Sequence, residues 1–357
     1  MGKINITVIG TPIYADKIKE IVQQSDQISF YGTAIDVEEG ENLIRSCDVV
    51  LLDIGLFSDQ VDSLLESVLQ IKPVPIIVLA DGSVNQTAKT VTAMSTGAVD
   101  FLKMNEKVSK QSEEQFHQEV IAKIIHASKT KVQPSLKYSV KDEKNITKKN
   151  NCTRRKVRTS THQQVLIAIG SSTGGPRALH KLLNDIPENF RAPIFIVQHM
   201  PSGFTKSLAE RLNNTSNIHV KEARDGEIVR NGTAYIAPGN YHMRVKQKRD
   251  QLTLQLTKEK TRLGHRPSIN ILLESIAQIR NYQKIVVILT GMGRDGAEGI
   301  KKVKRTERDA IVIAESDETA VINGMPSAAI ATNCVTEVLR IENIGAALVE
   351  YTNTRGY

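Results

Sequence analysis

The sequence predicts an α/β protein made of two doubly wound parallel-sheet domains, and three observations support this prediction. Short apolar runs alternate with amphipathic segments along residues 4–102, at about 20–25 residues per unit. A second series begins at residues 165–170, which are apolar enough to form a strand buried on both faces. Residues 129–163 between the two series are polar and basic, so we expect a linker there.

The first series predicts a flavodoxin-like domain over residues 1–128. Strands are expected at Ile4–Gly10, Ile28–Tyr31, Val49–Leu52, Pro75–Leu79 and Val99–Leu102. Helices are expected at Tyr14–Gln24, Val37–Ser46, Val61–Ile71, Gln86–Thr96 and Glu113–Ala127. Five strands in about 100 residues fit the flavodoxin-like order, in which ligands bind beyond the carboxyl ends of the strands.

The formal net charge of +8 is concentrated in one segment of the chain. Residues 121–163 carry 12 Lys and Arg against two acidic residues, so the rest of the chain is close to neutral. A segment of this composition cannot bury enough apolar surface to order itself. We therefore expect a basic flexible linker at residues 129–163 and no nucleic-acid partner.

Composition also argues against several classes of protein. No apolar run reaches 18 residues and no signal-peptide core is present, so we expect a cytoplasmic protein that does not insert into a membrane. The three cysteines are scattered, and the eight histidines form no metal-binding array. We therefore expect reduced thiols, no metal and no cofactor.

The turn after the strand at 165–170 has the form of a nucleophile elbow. Residues 170–174 are Gly-Ser-Ser-Thr-Gly, which matches G-x-S-x-G, and Pro176 suits the first turn of a following helix. Such a turn presents its central hydroxyl beside helix N–H groups that suit an oxyanion, so Ser172 is the candidate nucleophile. A nucleotide-binding turn is the alternative, although the G-x-x-x-G-G spacing departs from the dinucleotide motif.

Three predicted strands of the second domain end in polar residues of complementary chemistry. Ser172 and His199 follow the first two strands, and Asp295 lies in a glycine-rich loop after a later one. A histidine can take the proton of a serine hydroxyl, and a carboxylate can fix its tautomer. Taken singly, each residue has an ordinary alternative: a helix cap for Ser172, a core histidine, or a cap of the helix beginning at Gly296 for Asp295. Together they favour a serine hydrolase.

Residues 165–349 resemble the catalytic domain of chemotaxis protein-glutamate methylesterases in an ordered series of motifs. These motifs lie at residues 169–176, 198–201, 204–205, 209–212, 222–226, 235–239, 242–243, 265–269, 289–296 and 324–326. The resemblance implies a Rossmann-like fold and hydrolysis of glutamate methyl esters on chemoreceptors, with glutamine deamidation in some members. The implied partners are methyl-accepting chemotaxis receptors and the chemotaxis histidine kinase.

The same resemblance assigns roles to individual residues. It implies that Ser172, His199 and Asp295 form the catalytic triad. The backbone N–H groups of Thr173 and Met292 are the implied oxyanion donors, and the reaction needs no cofactor. A rival hypothesis keeps the fold but makes the chain a catalytically weak docking protein of the chemoreceptor array. An intact triad argues against this rival.

The first domain resembles a response-regulator receiver through residues 47–53, 75–80 and 97–103, which implies a phosphoryl acceptor at Asp53. Gly10 and Thr11 stand where the family has an acidic pair that binds Mg²⁺. Ala80 replaces a hydroxyl residue, and the expected lysine is displaced to Lys103. Because a carboxylate attacks a phosphodonor poorly without a metal, we expect a degenerate receiver, with Asp53 as an ordinary polar strand end. The predicted division is 1–128 receiver-like, 129–163 linker and 164–357 catalytic.

Overall fold

The computed structural model describes residues 2–56, 61–104, 110–130, 164–249 and 251–355, and it confirms the predicted α/β class. One parallel sheet has five strands in the order β2-β1-β3-β4-β5. A second sheet has seven strands in the order β14-β13-β12-β6-β7-β9-β8, and β10 and β11 form a separate antiparallel hairpin. The first order is that of flavodoxin-like domains, as the sequence predicts.

The first sheet and its helices are built from the amino-terminal residues. The elements are β1 Ile4–Ile9, α1 Pro12–Val22, β2 Ile28–Ala34, α2 Glu41–Ser46, β3 Val49–Asp53, α3 Val61–Ile71, β4 Ile76–Ala80, α4 Val84–Thr96, β5 Asp100–Lys103 and α5 Lys110–Ala127. All residues of β3 and β4 are buried, because helices cover both faces of the sheet. Helix α2 begins four residues after the predicted start, since residues 37–40 form turns.

The second sheet is built from the carboxyl-terminal residues. The elements are β6 Gln164–Ser171, α6 Gly175–Asn184, β7 Ile194–Gln198, α7 Phe204–Thr215, β8 His219–Glu222, β9 Thr233–Ile236, β10 His242–Lys248, β11 Gln251–Thr257, α8 Ile269–Ile276, β12 Tyr282–Ile288, α9 Ala297–Thr306, β13 Ile311–Glu315, α10 Gly324–Ile330, β14 Glu337–Leu339 and α11 Ile341–Arg355. The sequence patterns did not predict β8, α10, β14 or α11. The strands β8 and β14 are short edge strands, which carry little apolar periodicity.

The two domains pack against each other through α4, β5, α6 and α7. The rings of Phe101 and Phe204 stack with centroids 4.6 Å apart, and Phe204 is fully buried. At the edge of this contact, the Arg211 guanidinium donates to the Thr92 hydroxyl at 3.0 Å. Apolar stacking with a polar contact beside it fixes which face of the first domain meets the second. No sequence pattern predicts this contact.

The predicted linker at residues 129–163 lies outside the described residues, except for 129 and 130. The division at 128 and 164 therefore remains a prediction. Of the helices in the described ranges, none combines the length and the apolar character needed to cross a bilayer.

Candidate active site

The three predicted catalytic residues leave the second sheet at one edge. Strand β6 lies between β7 and β12, with Ser171 in register with Gln198 and Gly170 with Ile288. Ser172 and His199 are the next residues of β6 and β7, and the loop carrying Asp295 follows β12. Parallel strands have their carboxyl ends at the same edge, so the structure brings these residues to one site, where such sheets bind ligands.

The Ser172 turn is held by its neighbours rather than by helix capping. The Ser172 N–H donates to the Thr290 carbonyl at 3.0 Å, and the Ser172 carbonyl accepts from the Gln198 amide at 2.9 Å. Gly174 has φ +77°, a left-handed conformation that favours glycine, and it caps α6 without a side-chain bond. The helix-cap alternative for Ser172 is therefore wrong. Within the described ranges no hydrogen bond engages the Ser172 hydroxyl, so it is available for chemistry.

Asp295 binds His199 and the beginning of helix α8. Its Oδ2 lies 3.0 Å from His199 Nε2. The carboxylate also accepts from the Ser268 hydroxyl and from the backbone N–H groups of Ile269 and Asn270, at 2.7 to 3.0 Å. Although burial would raise it, the hydrogen bond from His199, and secondarily the N–H groups of Asn270 and Ile269, hold the pKa of Asp295 below its ordinary value. The carboxylate caps α8, so its predicted alternative as the cap of the helix at Gly296 is wrong.

The His199 ring has one nitrogen engaged and one available. Because Asp295 is ionised, it accepts a hydrogen bond, so Nε2 of the neutral imidazole carries the proton. The Nδ1 atom is buried and has no hydrogen-bond partner within the described ranges. Nδ1 is therefore the atom that can accept a proton, the reverse of the usual assignment in which Nδ1 binds the carboxylate.

His265 is a site residue whose role sequence analysis missed. Its ring stacks on His199 with centroids 3.9 Å apart and planes 7° from parallel. Burial, and secondarily the positive charge that His199 carries when it is protonated, lower the pKa of His265 to about 4, although Asp295 opposes the shift. A neutral ring thus lies flat on the candidate base. The only sequence signal was the position of His265 within a family motif.

The predicted oxyanion donors lie beside Ser172. No hydrogen bond in the described structure uses the backbone N–H of Thr173 or Met292, so both remain available for a substrate oxygen. The Thr173 side chain, however, contacts the first domain, because its hydroxyl donates to Asp100 Oδ2. The other Asp100 oxygen lies 3.1 Å from Lys123 Nζ. The first domain therefore touches the turn that carries the candidate nucleophile.

Asp53 is far along the chain from these residues and has different surroundings. It is 1% exposed, and its oxygens accept from the Thr11 hydroxyl at 2.9 Å and from the Gly55 N–H at 2.8 Å. The side-chain carbons of Lys103, the displaced lysine of the receiver pattern, pack against Gly82. Within the described ranges no three acidic, His or Cys side chains gather as metal ligands. One carboxylate surrounded by donors does not fit Mg²⁺, which needs several oxygen ligands. Degeneracy of this domain stays a prediction.

The chain is similar to proteins of one family over almost its whole length. A model of the CheB methylesterase family matches residues 167–348. The protein-glutamate methylesterase/protein-glutamine glutaminase of Oceanobacillus iheyensis is 37% identical over 353 residues, covering 98% of this chain and 99% of that protein. The protein of the same name from Bacillus subtilis is 33% identical, with 97% of each chain covered.

A solved structure extends the comparison to three dimensions. The Thermotoga maritima CheB methylesterase catalytic domain matches with 45% identity and a TM-score of 0.51, covering 53% of this chain and 98% of that chain. The full-length relatives also match the first domain, which is the N-terminal receiver domain. This chain belongs to the CheB methylesterase family.

Proposed function

We propose that this protein hydrolyses glutamate methyl esters on methyl-accepting chemotaxis receptors and deamidates receptor glutamines, acting in the cytoplasm. The observation that carries the proposal is the hydrogen bond from His199 Nε2 to Asp295, which leaves Nδ1 available beside the Ser172 turn. The chain's membership of the CheB methylesterase family supports the choice of substrate. The chemotaxis histidine kinase is the proposed second partner.

The reaction begins when Ser172 Oγ attacks the ester carbonyl carbon. His199 Nδ1 takes the hydroxyl proton, and the resulting imidazolium is stabilised by Asp295 through Nε2. The carbonyl oxygen becomes an oxyanion, for which the Thr173 and Met292 N–H groups are the proposed donors. The tetrahedral intermediate then collapses, the C–O bond breaks, and methoxide leaves as methanol with the proton from His199.

The second half of the reaction restores the enzyme. A water molecule gives its proton to His199 Nδ1 and attacks the acyl-Ser172 ester. Collapse of the second intermediate returns the proton to Ser172 and releases the receptor glutamate. A glutamine side chain follows the same steps, with ammonia as the leaving group, so one site serves both reactions.

Methanol release from methylated receptor tests this proposal. We expect Ser172→Ala to lose about 10³-fold or more in kcat while it unfolds at the wild-type temperature, because triad members act as a unit. Ser202→Ala is a matched control, since Ser202 is an exposed serine near the same edge and bonds to no triad residue. Wild-type activity in Ser172→Ala would reject the mechanism.

A further inference from the structure

Glu315 is a buried carboxyl group that the proposed reaction does not use. It ends β13 at the same edge as the triad and is 1% exposed. None of the ion pairs within the described ranges includes it. Arg340, next to the β14 residue in register with Glu315, pairs instead with Glu318 and Glu342. A buried acid without a cation is costly to retain, so its retention calls for a function.

The hydrogen bonds of Glu315 show what it holds. Its Oε2 accepts the backbone N–H of Thr290 at 2.7 Å, and its Oε1 accepts the Thr319 hydroxyl at 3.1 Å. The first bond fixes the chain just after β12, where the loop toward Met292 and Asp295 begins. The second bond fixes Thr319 in the loop after β13.

Thr290 in turn holds the nucleophile turn. Its carbonyl accepts the Ser172 N–H at 3.0 Å, and its hydroxyl donates to the Thr173 carbonyl at 2.9 Å. The same hydroxyl accepts the Ile322 N–H at 2.9 Å. Thr290 is 1% exposed, so no water competes for these bonds. Two hydrogen bonds thus connect Glu315 to the backbone of the candidate nucleophile.

We propose that Glu315 is a positioning residue for ester hydrolysis, which acts through Thr290 to fix the Ser172 turn and the Thr173 peptide. This inference rests on the proposed function. Catalytic groups need placement within fractions of an ångström, and a fixed peptide keeps the oxyanion donor aimed without reorganisation. Losing this support would therefore lower kcat and leave substrate binding nearly unchanged.

The protonation state of Glu315 supplies a second consequence. Burial, and secondarily the negative charge of Glu342 on α11, raise the pKa of Glu315 to about 7, although its two hydrogen bonds oppose the shift. The other charged groups nearby are Asp317 and Glu318 in the loop after β13 and Arg340 after β14. An ionised carboxylate accepts the Thr290 N–H more strongly than a neutral acid does. The support should therefore strengthen as the pH rises through 7.

Three single variants of the full-length protein separate positioning from plain stability. Glu315→Ala leaves the Thr290 N–H without an acceptor, and we expect kcat for methanol release to fall about 10- to 100-fold with KM within about twofold. Glu315→Gln keeps an acceptor of the same size, so we expect kcat within about threefold of wild type at pH 7. Thr319→Val removes the other bond of the same carboxyl and should keep wild-type kcat. Thermal unfolding of each variant is measured alongside.

The pH profile keeps the test decisive even if Glu315→Ala does not fold. The ratio of wild-type kcat to that of Glu315→Gln cancels any pH dependence that the two proteins share. We expect this ratio to rise about threefold between pH 6 and 8, because charge-assisted hydrogen bonds are about twice as strong as neutral ones. A constant ratio would overturn the inference, and so would wild-type kcat in folded Glu315→Ala.

A double variant checks the proposed route through Thr290. Thr290→Val removes the bond to Thr173 but keeps the backbone bonds that join Glu315 to Ser172, so the double variant should lose less kcat than the product of the two single losses. Additive losses would overturn the route. Ser172→Ala in the same assay separates the two levels of failure. If Ser172→Ala remains active, the proposed function fails, whereas failure of the Glu315 variants alone rejects only the positioning role.

Discussion

The carboxyl edges of the two parallel sheets show how similar scaffolds differ in chemistry. At the first edge, the hydrogen bonds that Asp53 accepts within the described ranges come from hydroxyl and backbone donors. No group of metal-ligating side chains forms around it in those ranges. At the second, Asp295 binds the imidazole of His199, beside the Ser172 turn. Both sheets offer strand ends at one edge, so the fold alone does not decide the activity. The side chain that each carboxylate contacts decides the activity.

At the contact between the domains, the first domain presents the amino end of a strand, whereas the catalytic domain presents the turn after the carboxyl end of a strand. Val99 and Asp100, at the amino end of β5, contact Gly174 and Thr173 of the catalytic domain. Asp53 lies at the carboxyl end of β3, the other edge of the same sheet. Contact with the nucleophile turn thus does not require Asp53. This separation suggests that docking and phosphorylation can be tested independently.

The largest expected difference between the two edges is between equivalent substitutions of their carboxylates. Asp295→Asn should lower kcat for methanol release about 10³- to 10⁴-fold, because the amide cannot hold His199 in the tautomer with an unprotonated Nδ1. It should also cost about 1–2 kcal/mol of stability, since α8 loses part of its cap. Asp53→Asn should leave kcat unchanged. Similar losses in both variants, measured by methanol release and thermal unfolding, would contradict the comparison.

The second prediction concerns the other buried carboxyl at the catalytic edge. The folded-state pKa of Glu315, about 7, lies above its ordinary value of 4.5. Its contribution to stability is therefore fully present below pH 4.5 and is lost as the pH rises through 7. Up to about 3 kcal/mol of unfolding free energy should be lost by pH 8. Urea unfolding at several pH values measures this loss. The free energy of unfolding of Glu315→Gln should fall less between pH 4.5 and 8 than that of the wild type, by that amount. Parallel curves for the two proteins would refute this assignment.

Local patterns in the sequence are sufficient to predict several elements of the fold. Apolar runs predicted the central strands of both sheets, and the turn residues at 170–174 predicted the elbow. The contact between His199 and Asp295 follows from polar residues just after strands, since parallel strands share a carboxyl edge. Boundaries shifted by a few residues because caps and turns, rather than periodicity, end an element.

What the sequence could not predict depends on contacts between distant segments. The stack of His265 on His199 and the bond from the Thr290 N–H to Glu315 join segments that are 66 and 25 residues apart in the chain. Neither pair has a characteristic spacing in the sequence, so no motif predicts the contact. The choice of His199 Nε2 for Asp295 depends on ring orientation, which only packing determines. The contact between Asp100 and Thr173 depends on how two folded domains dock.

A smaller effect is expected at that contact. Asp100→Asn weakens the bond to the Thr173 hydroxyl and removes one of two carboxylates that pair with Lys123. We expect kcat/KM for methylated receptor to rise about three- to tenfold, which corresponds to about 1 kcal/mol of weakened docking. Thr92→Val, which loses a bond at the edge of the same contact, should change kcat/KM less than twofold. Unchanged kcat/KM in folded Asp100→Asn would show that docking of the first domain does not limit access of the receptor to the Ser172 turn.

The smallest expected effect is at Asp53 itself. Small phosphodonors with Mg²⁺ should neither label Asp53 nor raise methanol release. Mg²⁺ dehydrates reluctantly and needs fixed oxygen ligands, whereas Thr11 and Gly55 present hydrogen-bond donors to this carboxylate. Without the metal, the charge on the transferring oxygens is not neutralised, so attack by Asp53 is slow. Mass spectrometry after incubation with acetyl phosphate measures the labelling, with Asp53→Asn as the control. Stoichiometric, Mg²⁺-dependent labelling that is lost in Asp53→Asn would refute the degenerate receiver, and the first carboxyl edge would then be a second active edge of the molecule.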